Sequence, residues 1–365
     1  MMEYKLRDIL RFHNGRGYSS IGESGTIPIY GSGGIMGYTD KALLDGEYIL
    51  LPRKGSLNNY FYVNEPFWNV DTIYAADVVN KEVDCKYLYY YFKCLNLGNL
   101  DSGSTLPSMT QSAYGSIKVQ LPSYATQKKV SNFLTSIDDK IATNNKIIET
   151  SEKLMFEFYN YWFVQFDFPD ENGRPYKSSG GEMVYDERLK REIPKGWSTK
   201  RVDELCDVKT GKEDANFSTP NGAYKFFTCA DEPLRCDTPN FSGKAILIAG
   251  NGNFNVKHYD GDFNAYQRTY VLQPDDEYYG ITFIEAKNKT NLFAKGSNGS
   301  IVKFITKNDV GSINIPTSHK AKELCIAFNK ILEEIDAVQS ENEILISLRD
   351  WLLPMLMSGR VWIAD

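Results

Sequence analysis

Between residues 126 and 166 the apolar positions recur in steps of four and three: Val130, Leu134, Ile137, Ile141, then Asn144, Ile148, Ser151, Met155, Phe158 and Trp162. That rhythm lays one stripe along a helix. Neither Gly nor Pro interrupts 127–164. The pattern therefore predicts a helix of about 38 residues, about 57 Å long. A periodic run of that length predicts a coiled coil, which needs a second strand. The chain supplies one at 320–357, where Phe328, Ile331, Ile335, Val338, Asn342, Leu345, Arg349, Leu352 and Leu356 keep the same steps. Ile137-Asp138, Asn144, Ile148 and Leu154 return 198 residues later as Ile335-Asp336, Asn342, Ile346 and Leu352. A polar residue in such a seam fixes register at some cost in stability, and Asn144 and Asn342 are candidates for that role. The plainer alternative is that each points to water where the pair widens.

Ahead of each helix the pattern changes to short runs. In 1–122, Leu6, Ile9 and Leu10 suggest a short helix, and Tyr87, Leu88, Tyr91 and Phe92 mark another over 86–95. Residue type predicts strands at 48–52, 60–63, 73–76 and 116–122. The run Tyr30-Gly31-Ser32-Gly33-Gly34-Ile35-Met36-Gly37-Tyr38 predicts turns or close backbone approach. Segment 197–316 repeats this plan at an offset of 196 or 197. Phe12-x-x-Gly15 returns as Val208-x-x-Gly211, Ile49-Leu50-Leu51 as Ile246-Leu247-Ile248, and Gly55 as Gly252. Gly115-Ser116-Ile117 returns as Gly311-Ser312-Ile313, and Pro122 is answered by Pro316. Residues 167–196 carry Pro, Gly, Ser and charge without a period, which predicts a surface loop acting as linker. The fold class expected is α+β. Two mixed domains are joined by two long helices in an antiparallel coiled coil, a tandem repeat with a pseudo-twofold axis. Such an object presents two recognition surfaces at a fixed distance, as dimeric DNA readers do.

Composition adds little. The 365 residues carry a net charge of −6, with 24 Tyr and 20 Phe. Segment 1–122 holds 11 basic against 12 acidic residues and 197–316 holds 14 against 15, so each is at −1. A basic surface must therefore be local. The six Cys form no C-x-x-C, and three His make a zinc site an unattractive reading. Scattered cysteines, no apolar signal region and no run of 18 apolar residues fit a cytoplasmic chain with no membrane span.

Several chemistries compete with blander readings. Gly31-x-Gly33-x-x-Met36-Gly37 nearly spells a dinucleotide fingerprint but fails at Met36, and no βαβ unit comes after it. No Walker lysine pattern occurs, nor the Asn/Asp-Pro-Pro-Tyr of an adenine methyltransferase. Asp275 with Glu285 and Lys287 imitates a metal-dependent nuclease and gives the alternative function, although Asp275-Asp276-Glu277 reads more like a hairpin turn. DNA contacts need donors on loops: Asn and Gln for adenine, Arg and Lys for guanine or phosphate. In the first domain Arg53, Lys54, Asn58 and Asn59 suit this, with Ser104, Thr105, Ser108 and Gln111 as a second cluster. By position the second domain offers Asn251, Asn253, Asn255 and Lys257, then Lys295, Ser297 and Asn298. His258 reads as structural or solvated. The plain alternative for each is a solvated loop residue.

The chain resembles the specificity subunit of type I restriction-modification systems over nearly its whole length. The resemblance is carried by the glycine run 30–38, Leu51-Pro52-Arg53-Lys54-Gly55, Phe67-Trp68-x-Val70-Asp71, and Pro122 followed by Gln127-Lys128-Lys129. Lys177-Ser178-Ser179-Gly180-Gly181-Glu182-Met183-Val184, Ile193-Pro194-Lys195-Gly196-Trp197 and Leu352-Leu353-Pro354-Met355-Leu356-Met357-Ser358-Gly359 also belong to it. It implies target recognition domains at 1–122 and 197–316, a first long spacer helix at 123–166, and a second with a C-terminal tail at 317–365, with 167–196 as linker. It also implies a non-catalytic role: each domain reads half of a bipartite site in double-stranded DNA, for methylation and defence against foreign DNA. Two modification (methyltransferase) subunits would dock on the helices, and restriction (translocase/nuclease) subunits would join. This chain would hold no cofactor, since S-adenosylmethionine, ATP and Mg²⁺ are used by the partner subunits. The second domain departs from the pattern, with Ala249-Gly250-Asn251-Gly252 where the first has Pro52-Arg53-Lys54-Gly55.

Overall fold

A computed structural model describes residues 1–18, 25–95, 108–295 and 304–363, with the backbone alone over 291–295. The chain divides into two compact units, Met1–Ala142 with Glu343–Asp365, and Thr143–Asn342.

The first unit begins β1 (Met2–Lys5), α1 (Leu6–Ile9), β2 (Leu10–Asn14), β3 (Ile27–Gly31), β4 (Gly34–Thr39) and β5 (Glu47–Pro52). It continues β6 (Phe61–Asn64), β7 (Trp68–Asn69), β8 (Ile73–Val78), α2 (Cys85–Cys94), α3 (Gln111–Ser116), β9 (Lys118–Leu121) and the start of α4 (Tyr124–Tyr159). Its sheets have the orders β2-β8-β5-β6, β4-β3-β7 and β1-β9. The central strand β5 is apolar from Tyr48 onward because both faces are covered there. Ile49 and Leu51 pack with Leu88 and Phe92 of α2, and Leu50 packs on the other face with Val63, Phe67 and Ile73. Asp84 starts α2 by accepting from the Tyr87 amide at 2.9 Å, and Thr110 starts α3 by accepting from Ala113 at 3.1 Å. The glycine run forms the turn and second strand of the β3–β4 hairpin.

The second unit contains β10 (Met183–Asp186), β11 (Arg191–Pro194), β12 (Ser198–Arg201), α5 (Val202–Leu205), β13 (Lys209–Thr210), β14 (Tyr224–Phe227) and β15 (Leu234–Cys236). Then come β16 (Lys244–Ala249), β17 (Val256–Asp260), β18 (Phe263–Ala265), β19 (Thr269–Leu272), α6 (Asp276–Lys295), α7 (Lys307–Gly311), β20 (Asn314–Thr317) and α8 (His319–Met357). Sheet orders β13-β19-β16-β17, β15-β14-β18 and β12-β20 reproduce the first unit strand for strand. Even the parallel pair β3–β7 recurs as β14–β18. The repeated glycine has a physical cause. A Cβ on Gly15 would lie 1.9 Å from the Val70 carbonyl oxygen, and one on Gly211 would lie 1.8 Å from that of Ala265.

Segments of both long helices pack in each unit. In the first, Val130 and Leu134 of α4 share a core with Leu353, Leu356 and Met357 of α8. Arg349 donates to Asp138 at 2.8 Å, and Tyr90 of α2 donates to the same carboxylate at 2.6 Å. In the second, the buried amide of Asn144 donates to Asn342 at 2.9 Å and to Glu341 at 2.8 Å, while Asn342 donates to Asn145 at 2.9 Å. These amides face one another rather than water.

Three expectations change. The segment 167–196 is not plain loop: it holds the β10–β11 hairpin and a small core of Phe166, Phe168 and Ile193, with Phe168 stacked on Trp197 at 5.1 Å. Residues Asp276 and Glu277 form the first turn of α6 rather than a hairpin. That helix is buried at Tyr278, Tyr279, Ile281, Phe283, Ile284 and Ala286, so no one-sided period marks it. Finally, the seam of α4 slips after Met155. Phe158 is exposed while Tyr159 and Phe163 are buried, a spacing of four that suits packing against α6 and the linker core.

Candidate DNA-recognition surface

In the first unit, several loops meet at the end of the sheet where β5 stops. Arg53 donates its amide to the Thr72 carbonyl at 2.9 Å, and its own carbonyl accepts from Met109 at 2.9 Å. Lys54 and Ser108 form an isolated bridge. The predicted clusters around 53–59 and 108–111 are therefore brought side by side. Gly55 reverses the chain there with φ of 88°, a conformation favouring glycine. The Asn59 amide donates to the Ser32 carbonyl at 3.1 Å, tying the loop to the β3–β4 turn. Gln111 donates to Asn14 at 3.0 Å. The Arg53 guanidinium lies 6.0 Å over the Tyr74 ring, while Lys54 and Asn58 are exposed. Such a set of exposed donors beside a cation suits base edges and phosphates. Ser104 and Thr105 lie outside the described residues.

The second unit builds the same frame. Gly250 donates to the Arg268 carbonyl at 2.8 Å, and Ile305 donates to the Gly250 carbonyl at 2.8 Å. Asn251 bridges Phe304, and Gly252 takes φ of 73°. The side chains are used differently. Asn255 donates to the Cys229 carbonyl at 3.2 Å and to Asp231 at 2.9 Å, and Asn253 donates to Asp231 at 3.4 Å. Lys257 reaches the Ala230 carbonyl from β17, and burial pushes its ammonium pKa down against the pull of Asp231 and Glu232. The predicted donors Asn253, Asn255 and Lys257 thus spend N–H groups inside the domain. His258 also faces inward, edge-on to Phe283 at 5.1 Å and 3.1 Å from Asp336. Ser297 and Asn298 lie outside the described residues, as does the side chain of Lys295.

Two cations at this sheet end escaped the sequence reading. Arg16 and Lys212, both exposed, come directly after the repeated Gly15 and Gly211. A basic residue after the same glycine in both repeats was the signal available.

The nuclease alternative loses its residues. Glu285 is half-buried, accepts from the Tyr159 hydroxyl, and has its carboxyl pushed up to about 6 by desolvation. Lys287 donates to Glu152 at 2.8 Å. Among the described residues no group of three His, Cys, Asp or Glu could hold a metal ion, and no helix is long and apolar enough to cross a membrane.

The family described as "Type I restriction modification DNA specificity domain" matches residues 1–153 and 194–349. The specificity subunit of the Escherichia coli type I restriction enzyme EcoDI is 31% identical over 176 residues, which are 47% of this chain and 40% of that protein. The MjaIX specificity subunit of Methanocaldococcus jannaschii is 29% identical over 50% of this chain and 43% of its own length. These two matches thus span less than half of each relative. The HindI specificity subunit of Haemophilus influenzae is 23% identical over 87% of this chain and 84% of its own length. Among solved structures, the S subunit of a type I restriction-modification system from M. genitalium shares the fold, with a TM-score of 0.66 at 17% identity over 100% of this chain and 96% of that one. With two matched segments covering most of its length and a frame repeated loop for loop, the chain belongs to the type I restriction-modification DNA specificity family.

Proposed function

We propose that this chain is the DNA-recognition subunit of a type I restriction-modification complex and reads a bipartite site, one half per domain. The observation that carries this is the repeated sheet end: one set of backbone bonds, 53–72–109 and 250–268–305, holding two different sets of side chains. A shared frame with variable loops is how one fold reads different sequences. The paired helices set the spacer and dock two modification (methyltransferase) subunits. Exposed apolar side chains support docking: Ile147, Leu154 and Phe158 of α4 in the second unit, and Ile344, Leu348 and Trp351 of α8 in the first. Exposed apolar groups in register along a helix mark protein contact. Catalysis, and with it S-adenosylmethionine, ATP and Mg²⁺, belongs to those partners and to the restriction subunits.

The test is the methylated motif of cells carrying the chain with its modification subunits. Exchanging residues 197–316 for a relative's domain should change one half of that motif and leave the other unaltered. A change in both halves, or no sequence-specific methylation by the parent complex, overturns the reading.

A further inference from the structure

The two sheet ends share one more feature, and it separates them chemically. In the first unit the Asn59 amide clips the loop after β5 to the Ser32 carbonyl in the β3–β4 turn. In the second, the Asn255 amide clips the loop after β16 to the Cys229 carbonyl just after β14. Asn59 and Ser32 precede Asn255 and Cys229 by 196 and 197 residues, the repeat offsets. The clipped segments are therefore counterparts. The first reads Ser32-Gly33-Gly34 and is uncharged; the second reads Cys229-Ala230-Asp231-Glu232, and both its carboxylates are exposed.

We propose that Asp231 specifies one base of the half-site read by the second domain, by accepting a hydrogen bond from an exocyclic amino group, N4 of cytosine or N6 of adenine. The proposal rests on the DNA-recognition reading above. Asn255 spends its amide protons on Cys229 and Asp231, and Asn253 spends one on Asp231. Asp231 is exposed and keeps acceptor capacity, since the two Asn fill only part of its carboxylate's roughly four lone-pair sites. In the major groove the donors are the amino groups of cytosine and adenine, whereas guanine and thymine offer acceptors. A carboxylate facing an acceptor in the field of the phosphates is repelled and left unpaired, so it discriminates as well as binds. The two Asn bonds hold Asp231 in place beforehand, which lowers the ordering cost of the contact. Lys212 and Arg268 are exposed on neighbouring loops at the same sheet end and suit the phosphates. In the first domain the same frame carries Arg53, Lys54 and Asn58, a donor set suited to guanine, adenine or phosphate. The half-sites should accordingly differ in chemistry where these counterpart turns meet DNA.

The test uses the full chain assembled with its modification subunits, once wild-type methylation has given the motif. Duplexes are made with one amino group removed at each position of the second half-site, pyrimidin-2-one replacing cytosine or purine replacing adenine. At one position the wild-type complex should bind about tenfold more weakly, and which analogue does so names the base. The same removal should cost Asp231→Ala twofold or less. The near-isosteric Asp231→Asn, chosen to preserve the loop, should relax methylation at that position and leave the first half-site unchanged. An Asp231→Ala complex that loses as much as wild type at every position overturns the proposal, as does an active Asp231→Asn complex with an unaltered motif. Failure of the wild-type complex to methylate any specific sequence strikes instead at the reading beneath it.

Discussion

Glu285 sits half-buried on α6 with its carboxyl pushed up to about 6 by desolvation, while the Tyr159 bond, Arg191 and Lys289 pull it down. Its ordinary value is 4.5, so the folded state favours the protonated form. The stability this contributes is fully present below pH 4.5 and is lost as pH rises through about 6. The difference amounts to about 2 kcal/mol. Glu285→Gln keeps an acceptor for Tyr159 without the charge. Its unfolding free energy relative to wild type should rise by about 2 kcal/mol between pH 4.5 and 8, and denaturant unfolding across that range checks it; a flat difference refutes it. On the candidate surface, Lys54 is exposed whereas Arg53 is also propped against Tyr74 and the Asp71 carbonyl. Lys54→Ala should weaken binding to all DNA sequences alike and lower the salt slope by about one. If the Arg53→Ala/Lys54→Ala chain keeps both its affinity and its salt slope, this loop is not in the interface. Residue type showed which loops carry donors, but not whether an N–H is already spent. Asn59 and Asn255 occupy corresponding places in the repeat, yet only a fold reveals that one amide is taken by the Ser32 carbonyl and the other by Cys229 and Asp231.

Among the elements, legibility tracked periodicity. The helices α4 and α8 announce themselves by steps of four and three. Strands β5 and β16 are apolar beyond their first residues, Glu47 and Lys244, because each is buried there on both faces. The elements that escaped lack a one-sided pattern: α6 is buried nearly all round, and the linker hairpin draws its stability from a few aromatic rings distant in sequence. The Asn144–Asn342 contact gives the helical pair in the second unit its own test. Asn342→Leu takes from the buried Asn144 amide its Asn342 acceptor, with Glu341 still in reach, and should cost about 1–3 kcal/mol. Leu at both positions should recover part of that loss, since removing both partners of a buried bond is far cheaper than removing one. Thermal unfolding of the two single variants and the double variant separates the terms. Simple additivity would mean the two amides do not act as a pair.

For the molecule as a whole, the proposed spacer role of α4 and α8 makes a metric prediction. Four residues inserted near Asn145 add about 6 Å of helical rise and rotate the downstream part of the helix by about 40°. Two base-pair steps cover about 6.8 Å of B-DNA. The methylated motif should keep both half-sites and lengthen its spacer by one or two base pairs. Sequencing methylated DNA decides this, and an active insertion variant with its spacer unaltered leaves the helices as a docking surface only.

The first unit also draws on both ends of the sequence, Met1–Ala142 and Glu343–Asp365, while Thr143–Asn342 is one continuous stretch. On a ribosome this inverts the order in which the parts can be finished. The N-terminal domain emerges first, yet Val130 and Leu134 must wait for Leu353 and Leu356 before their core closes. About 200 residues intervene, some 10–40 s of synthesis at 5–20 residues per second. For that interval the nascent chain carries an apolar helix face without its α8 neighbours, while the unit made later can close ahead of it. Long-range closure of this kind is slow and exposed to aggregation. The domain translated first is therefore the one whose completion depends on translation reaching the last helix, so a chain released early yields an unfinished first unit beside a finished second.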